Sequence, residues 1–325
     1  MHNKELEREI LSIESAEDFE NAALRVFDFQ FHNSAVYREY INMLGISVNS
    51  LSDIPFLPIE FFKTKRIATG SGEPEIVFES SGTTGSAVSS HFVSYLDLYE
   101  RSFKKCFELF YGSADSYRIL ALLPSYLERT NSSLVYMVNK LITWSHNPDS
   151  GFYLDNFRDL NAMLEKSTDQ KTLLIGVSFG LLNFLEHYQP RLQDTIVMET
   201  GGMKGRRKEL IREELHRTLK SGFGVSAIHS EYGMTELLSQ AYSQEDGIFN
   251  TPPWMKLSVR EANDPLSQAP AGKTGGVNII DLANLYSCSF IATSDLGRSI
   301  PNKGVEILGR FDFSDIRGCN LMVAN

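Results

Sequence analysis

The sequence predicts an α/β protein with a largely parallel sheet flanked by helices, closed by a β-rich C-terminal section. Three observations predict it. Between about residues 75 and 243, short apolar runs alternate with amphipathic stretches, the pattern of units in which a helix returns the chain to a parallel neighbouring strand. The runs RILALLP (118–124), KTLLIGVSF (171–179) and DTIVMETGG (194–202) are nearly continuous in apolar residues, as strands covered on both faces require. Past about residue 245, MKLSVRE, GGVNIID, CSFIATSD and GVEILGRF alternate with Gly, Pro, Asn and Asp turns, a β pattern without helical spacing.

Taken in order, residues 1–48 read as helices carrying Phe27, Phe29, Phe31, Tyr37 and Tyr40. IPFLPIEFFKT (54–64) holds two prolines, which favour an extended stretch or turns. EIVFESS (75–81) is an apolar run ending in turn residues, a strand into a loop. In 94–112, Leu96, Tyr99, Phe103, Phe107 and Phe110 recur at helical spacing before Gly112. SLVYMVNKLITW (133–144) and GLLNFLEHY (180–188) read as helices, and KELIREELHRTLKSGFG (208–224) as a helix stopped by glycine. VSAIHSEYGMTELLSQAYS (225–243) reads as strand, loop, helix. The expected division is a helical segment 1–48, an α/β core 49–245, a β-rich subdomain 246–310 and a hinge-like tail 311–325.

Composition narrows the function. A net charge of −10, with no basic run beyond KGRRK at 204–208, argues against a nucleic-acid partner. No apolar stretch is long enough for a spanning helix, and the charged N-terminus is no secretory signal. Cys106, Cys288 and Cys319 are widely spaced and odd in number, which suits a reduced cytoplasmic protein without a disulfide framework. The histidines His91, His146 and His229 have no metal-ligand spacing.

The loop ESSGTTGS (79–86) is the first element with chemical content. Glycines let a backbone approach a ligand closely, and hydroxyls with exposed N–H groups suit phosphate oxygens. It lacks the lysine of a GxxxxGK[ST] loop, and alone it reads equally well as a flexible surface loop. Three further stretches follow in order: EYGMTE (231–236), TSDLGR (293–298) and GRFDFSDIRG (309–318). Each alone has a plain reading: Tyr232 as a core aromatic, Glu236 as a helix cap, Asp295 as a turn residue, Arg310 and Arg317 as surface charges.

Together, these four stretches resemble the signature of adenylate-forming enzymes, the superfamily of acyl-CoA synthetases, peptide-synthetase adenylation domains and luciferases. The resemblance implies that family's N-terminal domain fold, and ATP and Mg²⁺ as cofactors. It implies that Ser80, Ser81, Gly82, Thr83, Thr84 and Gly85 hold the β- and γ-phosphates, that Thr235 faces the α-phosphate and that Glu236 helps hold Mg²⁺. Tyr232 and Gly233 would lie along the adenine, with Gly201 and Gly202 lining its pocket and Lys204 a weaker candidate. Asp295 would accept the ribose hydroxyls, and Arg310 would bind near ribose or phosphate. Such a site is what carboxylate activation needs, because pyrophosphate departure demands charge neutralisation on the phosphates.

The chain ends soon after Gly318, where acyl-CoA synthetases continue into a small domain with a catalytic lysine, so that domain is expected to be missing. IPFLPIEFFKT, FESSGTTG, TGGMKGRRKEL, EYGMTEL and GRFDFSDIRGCNL are similar to the LuxE-type acyl-protein synthetase family. That likeness implies activation of a fatty acid to acyl-AMP, transfer to a cysteine and delivery to an acyl reductase partner. Cys319, beside Arg317, would be the catalytic acceptor, its thiolate displacing AMP. A free cysteine also reads as a small buried hydrophobe, as Cys106 does here. The alternatives are an acyl-CoA or aryl-CoA ligase of phenylacetate-CoA ligase type, or a non-catalytic nucleotide- or acyl-binding subunit. Residues 121–134 and 175–185 are candidate walls of the acyl site.

Overall fold

The computed structural model describes residues 2–80, 88–123, 130–154, 156–201 and 210–311. The N-terminal part is helical, as its sequence predicts: α1 (Lys4–Leu11), α2 (Ala16–Asn33) and α3 (Ala35–Leu44). Helix α2 starts at a capping box, in which the Ser15 hydroxyl accepts from the Asp18 N–H and the Asp18 carboxylate accepts from the Ser15 N–H. The proline-bearing stretch then supplies β1 (Leu57–Pro58) and the single turn α4 (Phe61–Thr64). An antiparallel hairpin follows, β2 (Ile76–Glu79) with β3 (Ser90–Val93). The sequence reading missed β3, which lies just beyond the glycine-rich loop.

The α/β section runs α5 (Leu96–Tyr111), β4 (Tyr117–Leu122), α6 (Ser133–Ser145), β5 (Gly151–Phe152), α7 (Phe157–Glu165), β6 (Lys171–Gly176), α8 (Ser178–His187), β7 (Thr195–Glu199), α9 (Arg212–Phe223), β8 (His229–Tyr232) and β9 (Ala241–Ser243). Its sheet has the order β5-β4-β6-β7-β8-β9, parallel throughout except for the last pair. Burial on both faces explains the continuous apolar runs. In β4, Ile119 and Ala121 face the main core with α5 and α6, while Leu120 and Leu122 face a second core with α7, α8 and α9. Burying one such aliphatic side chain contributes about 1.5–3 kcal/mol.

One expectation is overturned here. MTELLSQAYS forms no helix; turns lead from Tyr232 into β9. A helix would direct the N–H groups of Leu238 and Ser239 at carbonyls four residues back. Instead they donate to the buried Asp281 carboxylate at 2.8 and 2.9 Å, while Leu237 and Leu238 are buried in the core. The reading also missed β5 and α7, and α9 begins at Arg212 rather than 208; residues 208–209 lie outside the described ones.

The closing section is β-rich as expected: β10 (Ile248–Phe249), β11 (Met255–Arg260), β12 (Thr274–Asp281), β13 (Phe290–Ile300) and β14 (Gly304–Arg310). The sheet order is β10-β14-β13-β12-β11, all antiparallel, with β1 added parallel to the first part of β13. One continuous core joins α1–α3, the antiparallel sheet and one face of the parallel sheet. Among the described residues no helix is long and apolar enough to cross a membrane.

Candidate functional site

Two irregular strands place Asp295. Gly276 and Asn278 of β12 pair with Leu296 and Ala292, so Val277 alone faces the three residues Thr293–Asp295 and β13 bulges outward. The Arg260 guanidinium fills that bulge. Its Nη1 donates to the Val277 carbonyl (2.8 Å) and Asn278 Oδ1 (2.9 Å), and its Nη2 to the Thr293 carbonyl (2.6 Å). Position 276 must be small, because a Cβ there would come within 2.4 Å of the Arg260 Cζ. A second bulge lies in β14: Leu296 pairs with Gly309 but Gly297 with Ile307, leaving Leu308 extra. Gly309 sits at φ 141°, backbone that L side chains rarely adopt. Arg310 is thereby set opposite Asp295, its Nε 3.4 Å from Asp295 Oδ1.

Tyr232 reaches this pair from the other sheet, its hydroxyl donating to Asp295 Oδ2 at 2.7 Å. Burial and the Asp295 charge hold that phenol well above its ordinary range. At Gly233 a Cβ would meet Glu231 Oε1 at 2.4 Å, so a larger residue would have to displace that carboxyl. Burial, with the Glu199 charge, pushes Glu231 up to about 8. The turn then carries Thr235 and Glu236. His91 Nδ1 lies 2.8 Å from the Thr235 carbonyl, and Asn284 Nδ2 donates to the Glu236 carbonyl at 2.7 Å. The Glu236 carboxyl is buried, and that burial raises its pKa, opposed by Ser89 and Arg310 and reinforced by Asp295.

Four sequence-chosen residues therefore gather at the seam of the two sheets, Tyr232, Gly233, Asp295 and Arg310, with Thr235 and Glu236 on the same turn. Ser80 borders the glycine-rich loop: its N–H donates to the Ser89 carbonyl and its hydroxyl accepts from the Ser89 N–H, each at 3.0 Å. Gly201 leaves β7 at φ 67°, a left-handed position that favours glycine. Its N–H donates to Glu199 Oε2 (2.7 Å) and its carbonyl accepts from the Ser178 N–H (2.8 Å). Ser81, Gly82, Thr83, Thr84, Gly85, Gly202, Lys204, Arg317 and Cys319 lie outside the described residues.

Sequence reasoning missed Glu199 and Arg212. Burial would raise the Glu199 carboxyl, but Arg212 and the Gly201 N–H hold it down at about 2. Arg212 also donates to Ser230 Oγ (3.1 Å), and its guanidinium lies 5.0 Å from the Phe249 ring centre. Cys106 and Cys288 are fully buried, and burial raises both thiols, Cys288 to about 12, so neither supplies a thiolate at neutral pH. His229 packs against Tyr111, its Nδ1 3.2 Å from the phenol oxygen, away from the Asp295 cluster. Of the candidate acyl walls, Leu181 and Phe184 are in the second core, whereas 124–129 lie outside the described residues.

Chemically, the seam offers an acceptor carboxylate, a cation, an aromatic face and a second, buried carboxylate. No group of three His, Cys, Asp or Glu residues able to hold a metal occurs among the described residues. A single carboxylate still suits Mg²⁺, which takes one or two carboxylates and completes its shell with water and phosphate oxygens.

No family model matches the sequence, and no curated protein does. Solved structures do. 2-Hydroxyisobutyryl-CoA ligase, in the postadenylation state with 2-HIB-AMP, superposes with a TM-score of 0.64 at 12% identity, covering 92% of this chain and 69% of the ligase. An ATP-bound chimera of RpMatB and BxBclM gives 0.55 at 16% identity, over 74% of this chain and 49% of that one. ATP-bound MatB from Rhodopseudomonas palustris gives 0.54 at 17%, with the same coverage. The chain thus spans about half the length of the MatB proteins it matches. At such identities the likeness speaks of fold alone: this chain shares its fold with these CoA-ligase and MatB structures.

Proposed function

We propose that this chain activates a carboxylic acid with ATP, forming an acyl adenylate and releasing pyrophosphate. The observation that carries the reading is the Tyr232–Asp295–Arg310 cluster, assembled from both sheets beside the buried Glu236 within this fold. Asp295 keeps acceptor capacity beyond its contacts with Tyr232 and Arg310, which suits a pair of ribose hydroxyls. Tyr232, Gly233, Gly201 and Gly202 flank the base; Arg310 and Thr235 face ribose and α-phosphate. Ser80, Ser81, Gly82, Thr83, Thr84 and Gly85 cradle the β- and γ-phosphates. Glu236 would hold Mg²⁺, which supplies charge neutralisation on the departing pyrophosphate. The carboxylate substrate attacks the α-phosphorus, and the P–O bond to pyrophosphate breaks.

For the acyl group's fate, the likeness of the sequence to LuxE-type acyl-protein synthetases favours a fatty acid passed to Cys319 and then to an acyl reductase partner. The Cys319 thiolate would attack the acyl carbonyl and expel AMP, leaving a thioester. A second reading is favoured by the neighbouring 2-hydroxyisobutyryl-CoA ligase, whose structure with 2-HIB-AMP and CoA superposes at a TM-score of 0.64. In that reading CoA is the acceptor. Intact-mass analysis after incubation with MgATP and a long-chain fatty acid separates the two. The first reading predicts one acyl adduct that is absent in Cys319→Ser. CoA-dependent AMP release that persists in Cys319→Ser would replace it with the second.

A further inference from the structure

His91 and Asn284 touch the backbone of the Thr235–Glu236 turn from behind, and each has a buried atom that the described residues do not satisfy. His91 is on β3, directly after the glycine-rich loop, and is 1% exposed. Its Nδ1 faces the Thr235 carbonyl at 2.8 Å; a carbonyl only accepts, so the proton sits on Nδ1. Burial pushes the imidazole down to about 4, so at neutral pH Nε2 is a bare acceptor. Asn284 is wholly buried and donates through Nδ2 to the Glu236 carbonyl (2.7 Å) and the Cys288 carbonyl (2.8 Å). Those two bonds fix the orientation of the amide and leave Oδ1 as an acceptor. Neither His91 Nε2 nor Asn284 Oδ1 has a hydrogen-bond partner among the described residues, although the two side chains lie close enough for Asn284 to oppose the fall in the His91 pKa.

Both residues line one small pocket, of about 10 Å³ and partly open on one side, together with Tyr95, Leu238, Tyr286 and Ser287. That volume is close to what a single water needs, and two acceptors without a donor call for a molecule carrying two. An acceptor buried without a donor is costly, so the pair favours a guest that donates to both.

We propose that this cavity holds one water molecule donating to His91 Nε2 and Asn284 Oδ1, and that the two side chains with this water are a clamp positioning Thr235 and Glu236 against ATP. The clamp ties the hairpin bearing the glycine-rich loop to the turn bearing Glu236, because His91 pairs with Phe78 across β2 and β3. His91 and Asn284 are positioning residues, and that role rests on the adenylation reading above; the water does not.

Two measurements on the unmodified protein test the water. A high-resolution crystal structure should show density within hydrogen-bonding distance of both atoms. ¹⁵N NMR of the imidazole should show a protonated Nδ1 and an unprotonated, hydrogen-bonded Nε2 at neutral pH. A dry cavity, or a proton on both nitrogens, overturns the water. Positioning is tested by carboxylate-dependent ATP–pyrophosphate exchange. Asn284→Leu and His91→Phe should raise KM for MgATP about tenfold, the scale of one lost hydrogen bond, with KM for the carboxylate little changed. His91→Asn, which keeps a donor where Nδ1 stands, should recover most of the loss and guards against misfolding of the larger change. Equal shifts in both KM values, or none, overturn the positioning role. A wild-type protein with no exchange at all would instead overturn the adenylation reading, leaving the water to the crystal and NMR results.

Discussion

Two aspartates from neighbouring strands hold opposite ends of the segment 232–239, and the protein treats them differently. Asp281, at the end of β12, is completely buried; it accepts from the Leu238 and Ser239 N–H groups and from the Ser239 hydroxyl at 2.6 Å. The same hydroxyl accepts from Trp254 Nε1 at 2.9 Å, so Asp281 is one node of a closed interior network. Among the described residues, the Asp295 carboxylate, in the bulge of β13, meets the Tyr232 hydroxyl and the largely exposed Arg310. One carboxylate is consumed in fastening the turn; the other, itself mostly buried, keeps acceptor capacity that the proposed adenylation assigns to the ribose hydroxyls. On that proposal the two aspartates divide structure from binding in a way that residue type alone does not.

Breaking each aspartate should therefore produce different losses. Asp295→Ala should lower kcat/KM for ATP by about 10²–10³, the worth of two hydrogen bonds to a charged acceptor, with thermal stability little changed. Exchange kinetics beside a melting curve check this. Asp281→Leu leaves three donors without their acceptor and should cost about 3 kcal/mol of stability in urea titrations. A third carboxylate sharpens the contrast through pH. In the folded protein Glu199 is held at about 2, below the 4.5 of an ordinary glutamate. Its contribution is thus complete above pH 4.5 and is lost as pH falls toward 2. Between pH 6 and 3 the wild type should lose about 2 kcal/mol more than Glu199→Gln. The smallest expected effect is Arg260→Lys. A single ammonium cannot span the three acceptors of the β13 bulge, so KM for ATP should rise about tenfold or less through misplacement of Asp295.

The contrast also explains what could be read in advance. EYGMTE, TSDLGR and GRF are local patterns, and the residues they mark do meet: Tyr232, Asp295 and Arg310 are in contact. Their supports are long-range. His91 reaches Thr235 across 144 positions and Asn284 reaches Glu236 across 48, and neither flanking sequence advertises the partner. The mistaken helix after EYGMTE has the same origin. Leu237 and Leu238 have a plausible local pattern, but Asp281, 43 positions from Leu238, takes the N–H groups that a helix would use. The alternating runs of the parallel sheet were legible because burial on both faces leaves a continuous apolar signature. The two-residue strand β5 and the short helix α7 leave almost none.

Carboxylate-dependent ATP–pyrophosphate exchange, run over a panel of short, aromatic and long-chain acids, tests the central claim most directly. Wild-type protein should catalyse exchange with at least one class of acid, and Asp295→Ala should reduce it about a hundredfold or more while staying folded. ATP binding with no exchange for any acid would contradict the account and leave a nucleotide-binding subunit in place of an enzyme.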